Sequence, residues 1–442
     1  MSDGSLKDPV PVAGTASKPM NVTAAVALGI GSMVGAGIFA LMGVAGSIAG
    51  SAVYLSFIIA GLVALLSGYS MAKLGARYPS AGGLVEYLAQ GFGVGLFSGA
   101  LSILLYLSAL IALALVAKTF GSYAVALLPV ERSTLWVNGM GDFIIITLVL
   151  INLEGARSVA LSEKIIVGLK LLVLAGFSIA GLIYARPELL SPAQYPESKM
   201  ILYSLAITFF AFEGFRVITN TAEDMPQPEK TLPRAMFISI GLVMVLYVAV
   251  ALAVFGNLGI QEVIVAKDYA LAEAAKPVFG AAGFTIVAIT ALISTASSIN
   301  ANLYAVTNVT YQLSKEGELP EAFGEPIAHS REGLLISAAL IIVLTSFLDL
   351  SEVAAVGSIT ILMVHLVVHL GHLKLRHETG ASLILILLAI LTIVLTIGFA
   401  LIYVIKDSPN IVWLVAATVF IAFISEFLLF KVTRRRVQPR VF

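Results

Sequence analysis

There is no cysteine in this chain of 442 residues. That excludes thiolate catalysis, disulfide bridges and cysteine-based metal sites. Charge is scarce too: Asp, Glu, Lys and Arg make up only 12% of the residues, and 26 basic groups balance 26 acidic ones. A neutral chain offers no basic footprint for nucleic acid, and so little charge cannot solvate a soluble domain of this size. There are only five histidines, with no HExxH pair. His365 and His369 are spaced i, i+4, which suits a metal ion. A metal site also needs a third ligand and outer-shell support, so these two read as the polar lining of a late helix. No Gly-x-x-x-x-Gly-Lys-Ser/Thr loop occurs, which excludes a nucleotide-driven pump. Without a cysteine, a nucleotide loop or a histidine–carboxylate cluster, nothing points to an enzyme or a bound cofactor.

What the chain has instead is apolar bulk. Hydrophobic residues make up 59% of it, and its mean hydropathy is +1.00. A bilayer span needs about 20 apolar residues. Runs of that kind fall at residues 22–47, 51–74, 95–120, 135–152, 160–184, 200–222, 234–256, 280–310, 332–348, 352–373, 382–405 and 410–431. They are too long and too unalternating for barrel strands. The expectation is an all-α membrane protein of about twelve spans whose main partner is the lipid bilayer. Residues 1–20 carry no h-region with a cleavage site and read as a disordered cytoplasmic tail. Residues 433–442 read as a basic one. With both ends in the cytoplasm, seventeen Lys and Arg lie on that side, seven lie opposite, and Lys170 and Arg216 fall inside spans. The positive-inside bias favours that orientation, at the cell membrane.

Two spans carry signs of interruption. Span 1 has Gly29, Gly31, Gly35 and Gly37 within nine residues. Glycines at this spacing allow close helix packing. They also permit an unwound segment, tolerated at mid-membrane only where it lines a cavity or is buried in protein. Span 6 carries FFAFEGFR at residues 209–216, with a glycine and two ionisable residues at depth. Intramembrane charges tend to mark pathways. The two interruptions sit five helices apart, the pointer to inverted repeats with a site at the breaks. The repeats would cover residues 21–190 and 195–378, leaving 380–432 as two peripheral helices.

These residues resemble the amino acid–polyamine–organocation superfamily. The resemblance rests on GSMVGAGIF at residues 31–39, KLGARYPSAGG at 73–83 and AEDMPQPEKTLPRA at 222–235, and covers about residues 22–432. It implies a 5+5 inverted-repeat fold of the LeuT type with broken helices 1 and 6. It also implies carriage of amino acids or related amines by alternating access. By resemblance, the substrate carboxylate meets amides around Gly35, Ala36 and Gly37, beside Met33. The ammonium meets carbonyls at Phe210, Ala211 and Glu213, and Phe210 and Phe212 gate or floor the pocket. Some relatives carry an uncharged residue at the Glu213 position. An i, i+3 ion pair between Glu213 and Arg216 is one reading of that residue. Selection of cationic substrates, or a proton relay, is the other.

Lys170 lies about two turns deeper in span 5 than Lys164, and fifteen uncharged residues follow it. A lone ammonium at that depth needs carbonyl or hydroxyl partners. Low dielectric favours the neutral amine, so such a group can release and rebind a proton. Its position is similar to the span-5 lysine of the proton-coupled, ApcT-type branch, which implies the Gly31 carbonyl and the Ser294 hydroxyl as partners. A static lysine clamp is the other reading. The expected function is proton-driven symport of small amino acids, with a proton as the coupling ion and no metal. An exchanger of amino acids or polyamines, or an amino-acid sensor, remain the alternatives.

Overall fold

The computed structural model describes residues 20–154, 159–315, 319–327 and 330–433. The expected tails at residues 1–20 and 433–442 lie almost wholly outside these. Apart from a two-stranded antiparallel ribbon, Pro326–Ile327 with Ser330–Arg331, the described chain is helical. Ten helical stretches are long and apolar enough to cross a membrane, and two shorter apolar ones, Val22–Gly35 and Glu332–Phe347, stand in the first and ninth expected spans. This is a multi-pass membrane protein.

Helix α1 (Val22–Ala49) starts on Asn21, whose side chain accepts from the Ala24 amide. It is followed by α2 (Val53–Arg77) and the short α3 (Leu84–Phe92). Next come α4 (Leu96–Leu127), α5 (Thr134–Glu154) and α6 (Val159–Ile183). The sixth span is composite: α7 (Ser198–Tyr203), α8 (Leu205–Phe212), then a 3-10 helix from Glu213 to Asp224. Helix α9 (Pro228–Asn257) and the short α10 (Ile260–Val265) precede α11 (Ala270–Lys315). The latter bends at Gly280, whose φ of 67° is open to glycine without a Cβ penalty. The chain closes with α12 (Glu332–Phe347), α13 (Leu350–Thr379), α14 (Leu383–Asp407) and α15 (Pro409–Thr433).

Burial sorts the helices. α4 and α13 are enclosed along most of their length, whereas α14 and α15 show most of theirs to the outside. Exposed Leu, Ile, Val, Phe and Trp side chains such as Phe143, Leu172, Val245, Ile384 and Trp413 are what a lipid-facing surface requires. The core groups α1 with α8, α9 and α11, α2 with α9, and α13 with α2, α4 and α8.

The two expected interruptions come out differently. In span 6 the α-helix does end inside the span, at Phe212. Twelve residues of 3-10 helix follow, far longer than the usual three or four and a mark of a hinge or of strain. Span 1, expected to unwind around Gly31–Gly37, runs as α-helix from Val22 to Ala49, and this corrects the expectation. A mid-helix glycine costs only about 1 kcal/mol relative to alanine. An orphaned amide or carbonyl at membrane depth costs several, so the backbone keeps its helical bonds.

Candidate functional site

The glycines of α1 set the geometry by letting backbones touch. A Cβ on Gly37 would stand 2.3 Å from the Ala211 carbonyl oxygen and 2.3 Å from the Tyr247 hydroxyl. A Cβ on Gly214 would stand 2.4 Å from the Met33 amide nitrogen. Helix α1 and the α8–3-10 junction therefore cross with no room for a side chain at either glycine. The Tyr247 hydroxyl on α9 fastens the crossing, donating to the carbonyls of Met33 at 2.7 Å and Ala211 at 3.1 Å. Where α8 gives way to the 3-10 helix, carbonyls of its last turn lose their α-helical partners. The Phe210 carbonyl instead accepts from the Glu213 amide, and the Ala211 carbonyl from Tyr247.

A cavity of about 50 Å³ opens beside the crossing. Met33, Gly37, Phe210, Ala211 and Glu213 of the expected site line it, together with Ser32, Arg216 and Asn302. Phe212 does not: it is buried on the other side, 6.4 Å from the ring of Phe57 and 5.1 Å from that of Tyr247. Gly35 faces α11, where a Cβ would stand 2.6 Å from that of Ser298. Only the backbone of Ala36 is described. Because α1 is unbroken, the free amides expected at Gly35, Ala36 and Gly37 are not seen.

Glu213 and Arg216 form the ion pair that their spacing suggests. Arg216 Nε lies 2.6 Å from Glu213 Oε1, and Glu213 Oε2 lies 3.1 Å from His365 Nε2 on α13. Both contacts are close in distance but off the hydrogen-bond axis. The pair presents one acid and one base to the same cavity. His365 is fully buried, edge-on to Phe209 at 5.5 Å and to Phe215 at 5.8 Å.

Lys170, only 1% exposed, donates to the Gly31 carbonyl at 2.7 Å. Ser294, also buried, donates to the neighbouring carbonyl of Val34 at 3.3 Å. Helices α6 and α11 thus grip α1 at carbonyls within one turn of Met33, one of the cavity's walls.

Several functional candidates escaped the sequence reading. Tyr247, Ser32 and Asn302 had no signal that set them apart in apolar helices. His365 was noticed only for its spacing to His369. His365, His369 and His372 together keep an i, i+4, i+7 spacing, which marks one helix face. Ser67 and Ser70 on α2, at i, i+3, meet that face.

The family model for amino acid permeases matches residues 20–430. The inner membrane transport protein YbaT of Escherichia coli is 36% identical, over 91% of this chain and 94% of its own length. An uncharacterized protein of Methanocaldococcus jannaschii is 37% identical, over 96% of this chain and 97% of its own. The serine/threonine exchanger SteT of Bacillus subtilis is 25% identical, over 71% of each. With a match across nearly all of its length, the chain belongs to the amino acid permease family of the amino acid–polyamine–organocation superfamily.

Proposed function

We propose that the protein is a proton-coupled symporter of small, zwitterionic amino acids working by alternating access. The observation that carries this reading is the cavity at the crossing of α1 and the α8–3-10 junction, lined by Glu213 and Arg216. An α-amino acid is itself a pair of opposite charges a few ångströms apart. A cavity holding one carboxylate and one guanidinium offers a partner to each end of such a zwitterion. Its small volume and its aromatic wall, Phe210, favour a small side chain. Recognition of the carboxylate at Gly35–Gly37 requires α1 to loosen locally during the cycle, which a run of glycines makes easier.

Lys170 supplies the coupling in this reading. Its hydrogen bond to Gly31 ties α6 to the stretch of α1 that walls the cavity. Loss of its proton weakens that tie and lets α1 move, so proton release and helix movement proceed together. The inverted-repeat division at residues 21–190 and 195–378, with α14 and α15 peripheral, supplies the two bodies that rock. The outward exposure of those last two helices supports their peripheral place. Cytoplasmic termini follow from the charge bias.

The test is uptake of labelled amino acids into proteoliposomes, with and without an inward proton gradient and without sodium. Accumulation only with the gradient supports symport. Uptake that requires only internal amino acid makes the protein an exchanger, as the name of the SteT relative suggests. Binding without uptake makes it a sensor and overturns the transport reading.

A further inference from the structure

A line of buried hydrogen bonds leads away from Glu213. His365 Nδ1 lies 3.0 Å from Ser67 Oγ, which lies 3.0 Å from His369 Nε2. His369 Nδ1 lies 2.8 Å from Ser70 Oγ, which lies 2.7 Å from His372 Nδ1. His372 Nε2 lies 2.9 Å from the hydroxyl of Thr379, the last residue of α13. All three histidines and both serines are fully buried, whereas Thr379 is half-exposed. Every ring nitrogen but His365 Nε2 has a hydrogen-bond partner, His365 Nε2 lies 3.1 Å from Glu213 Oε2, and each serine bridges two rings. From His365 to Thr379 is fourteen residues of α13, about 20 Å along the helix axis.

We propose that this chain is a proton wire connecting Glu213 in the cavity with the membrane face where α2 and α13 end. With Glu213 ionised, each link points toward it: Thr379 O–H to His372 Nε2, His372 Nδ1–H to Ser70, Ser70 O–H to His369 Nδ1. The line continues with His369 Nε2–H to Ser67, Ser67 O–H to His365 Nδ1 and His365 Nε2–H to the carboxylate. A proton from water at the Thr379 hydroxyl displaces that group's own hydrogen onto His372 Nε2. His372 then gives its Nδ1 hydrogen to Ser70, and each following group accepts on one side and donates on the other. The last step puts the His365 Nε2 hydrogen on Glu213 Oε2, the carboxyl rotating to close that off-axis contact.

The product is the same chain with every link reversed, each imidazole neutral and the carboxyl protonated. Thr379 then donates to the backbone carbonyls of Leu375 and Arg376, which lie 3.3 and 3.2 Å away. One proton enters, one proton resides on Glu213, and no ring needs to turn over. The reverse passage restores the first state. Neither state holds a buried imidazolium, whose desolvation would be costly. A protonated Glu213 also loosens its pair with Arg216, leaving the guanidinium free to meet an anionic group in the cavity.

Other charges frame the path. Arg216 faces Glu213 from the 3-10 helix. Near the mouth stand Lys73 on α2, Lys374, whose ammonium donates to the Gly91 carbonyl, and the Tyr78–Glu378 hydrogen bond at 2.7 Å, while Glu86 of α3 accepts from Gln90. Among the other helices packed on α13, α8 carries no ionisable group. The charged residues of α14 lie at its far end, Lys118 of α4 is bonded to Asn138, and Glu426 of α15 sits against Gly99.

The inference takes from the transport reading only the need for protons to reach the cavity. Its test uses no transported molecule. Full-length protein in lipid nanodiscs is stepped from mildly alkaline to mildly acidic pH, and the infrared band of a protonated carboxyl is followed in time. The band that Glu213→Gln removes is expected to rise about a hundredfold more slowly in His369→Gln, with the same final amplitude, because glutamine keeps hydrogen bonds but passes no proton between two ring nitrogens. Ser70→Ala breaks the line with little change of volume and should slow the same band, which covers a failure of His369→Gln to fold. An unchanged rate in folded His369→Gln and Ser70→Ala overturns the wire. So does the absence of any pH-sensitive band that Glu213→Gln removes. Failed uptake in the proteoliposome assay leaves these outcomes unaffected.

Discussion

Replacing Gly37 by alanine adds a single methyl group at the tightest point of the site. The added Cβ would lie 2.3 Å from both the Ala211 carbonyl oxygen and the Tyr247 hydroxyl, where ordinary contact begins at 3.4 Å. One obstacle is backbone, so α1 and α8 must part by about 1 Å, the order of the shortfall. Overpacking of this kind costs about 1–3 kcal/mol. The displacement also pulls the Tyr247 hydroxyl off the carbonyls it bridges. Misplacement of a site by about 1 Å can cost about a hundredfold in function. The expected outcome for Gly37→Ala is a folded protein with a melting temperature lowered by a few degrees and initial uptake reduced at least about tenfold. Gly37→Val, with a branched side chain at the same point, should abolish uptake. The assays are thermal unfolding in detergent and initial-rate uptake in proteoliposomes at matched protein density. Wild-type uptake with unchanged apparent affinity in Gly37→Ala would refute the argument that this close approach shapes the site.

Three further substitutions probe neighbouring groups. Lys170→Ala should fold but lose gradient-driven accumulation, and retained accumulation with unchanged pH dependence would leave Lys170 as a clamp only. Tyr247→Phe removes one hydroxyl that serves two buried carbonyls and should cost about 1–3 kcal/mol of stability in an unfolding titration. No change would mean that water or backbone replaces it. Glu213→Gln removes the carboxylate that the proposed site offers to the substrate ammonium and should lower uptake of neutral amino acids in proteoliposomes by about tenfold or more. A selective loss for arginine and lysine would instead make Glu213 a receptor for cationic substrates.

How much of this was legible in the sequence depended on how local each cause is. The ending of α8 at Phe212 fell inside the segment flagged by Glu213, Gly214 and Arg216, because a glycine and two charges at membrane depth disturb a helix from within. The Glu213–Arg216 contact followed from i, i+3 spacing alone. The same reasoning misjudged α1. Its glycines looked like a break, yet their use is to admit Ile218, Ser298 and Ala211 from other segments, a cause outside the segment. Phe212 looked equivalent to Phe210 in the sequence. Two residues of helical rotation, about 200°, turned it to Phe57 and Tyr247 instead of the cavity.

The sequence by itself determined the membrane class, the number of spans, the depth of Lys170 and the family. All of these follow from composition, run length and short motifs, which need no knowledge of who meets whom. The tertiary structure alone decided which faces of the helices line the cavity and whether α1 stays wound. It also decided that Ser67 and Ser70 meet histidines some 300 residues away. In an interior that is apolar almost everywhere, hydropathy no longer tells an inward face from an outward one. Only the packing of one helix on another brings the few buried polar groups together, because at that depth each of them must find a partner within the protein.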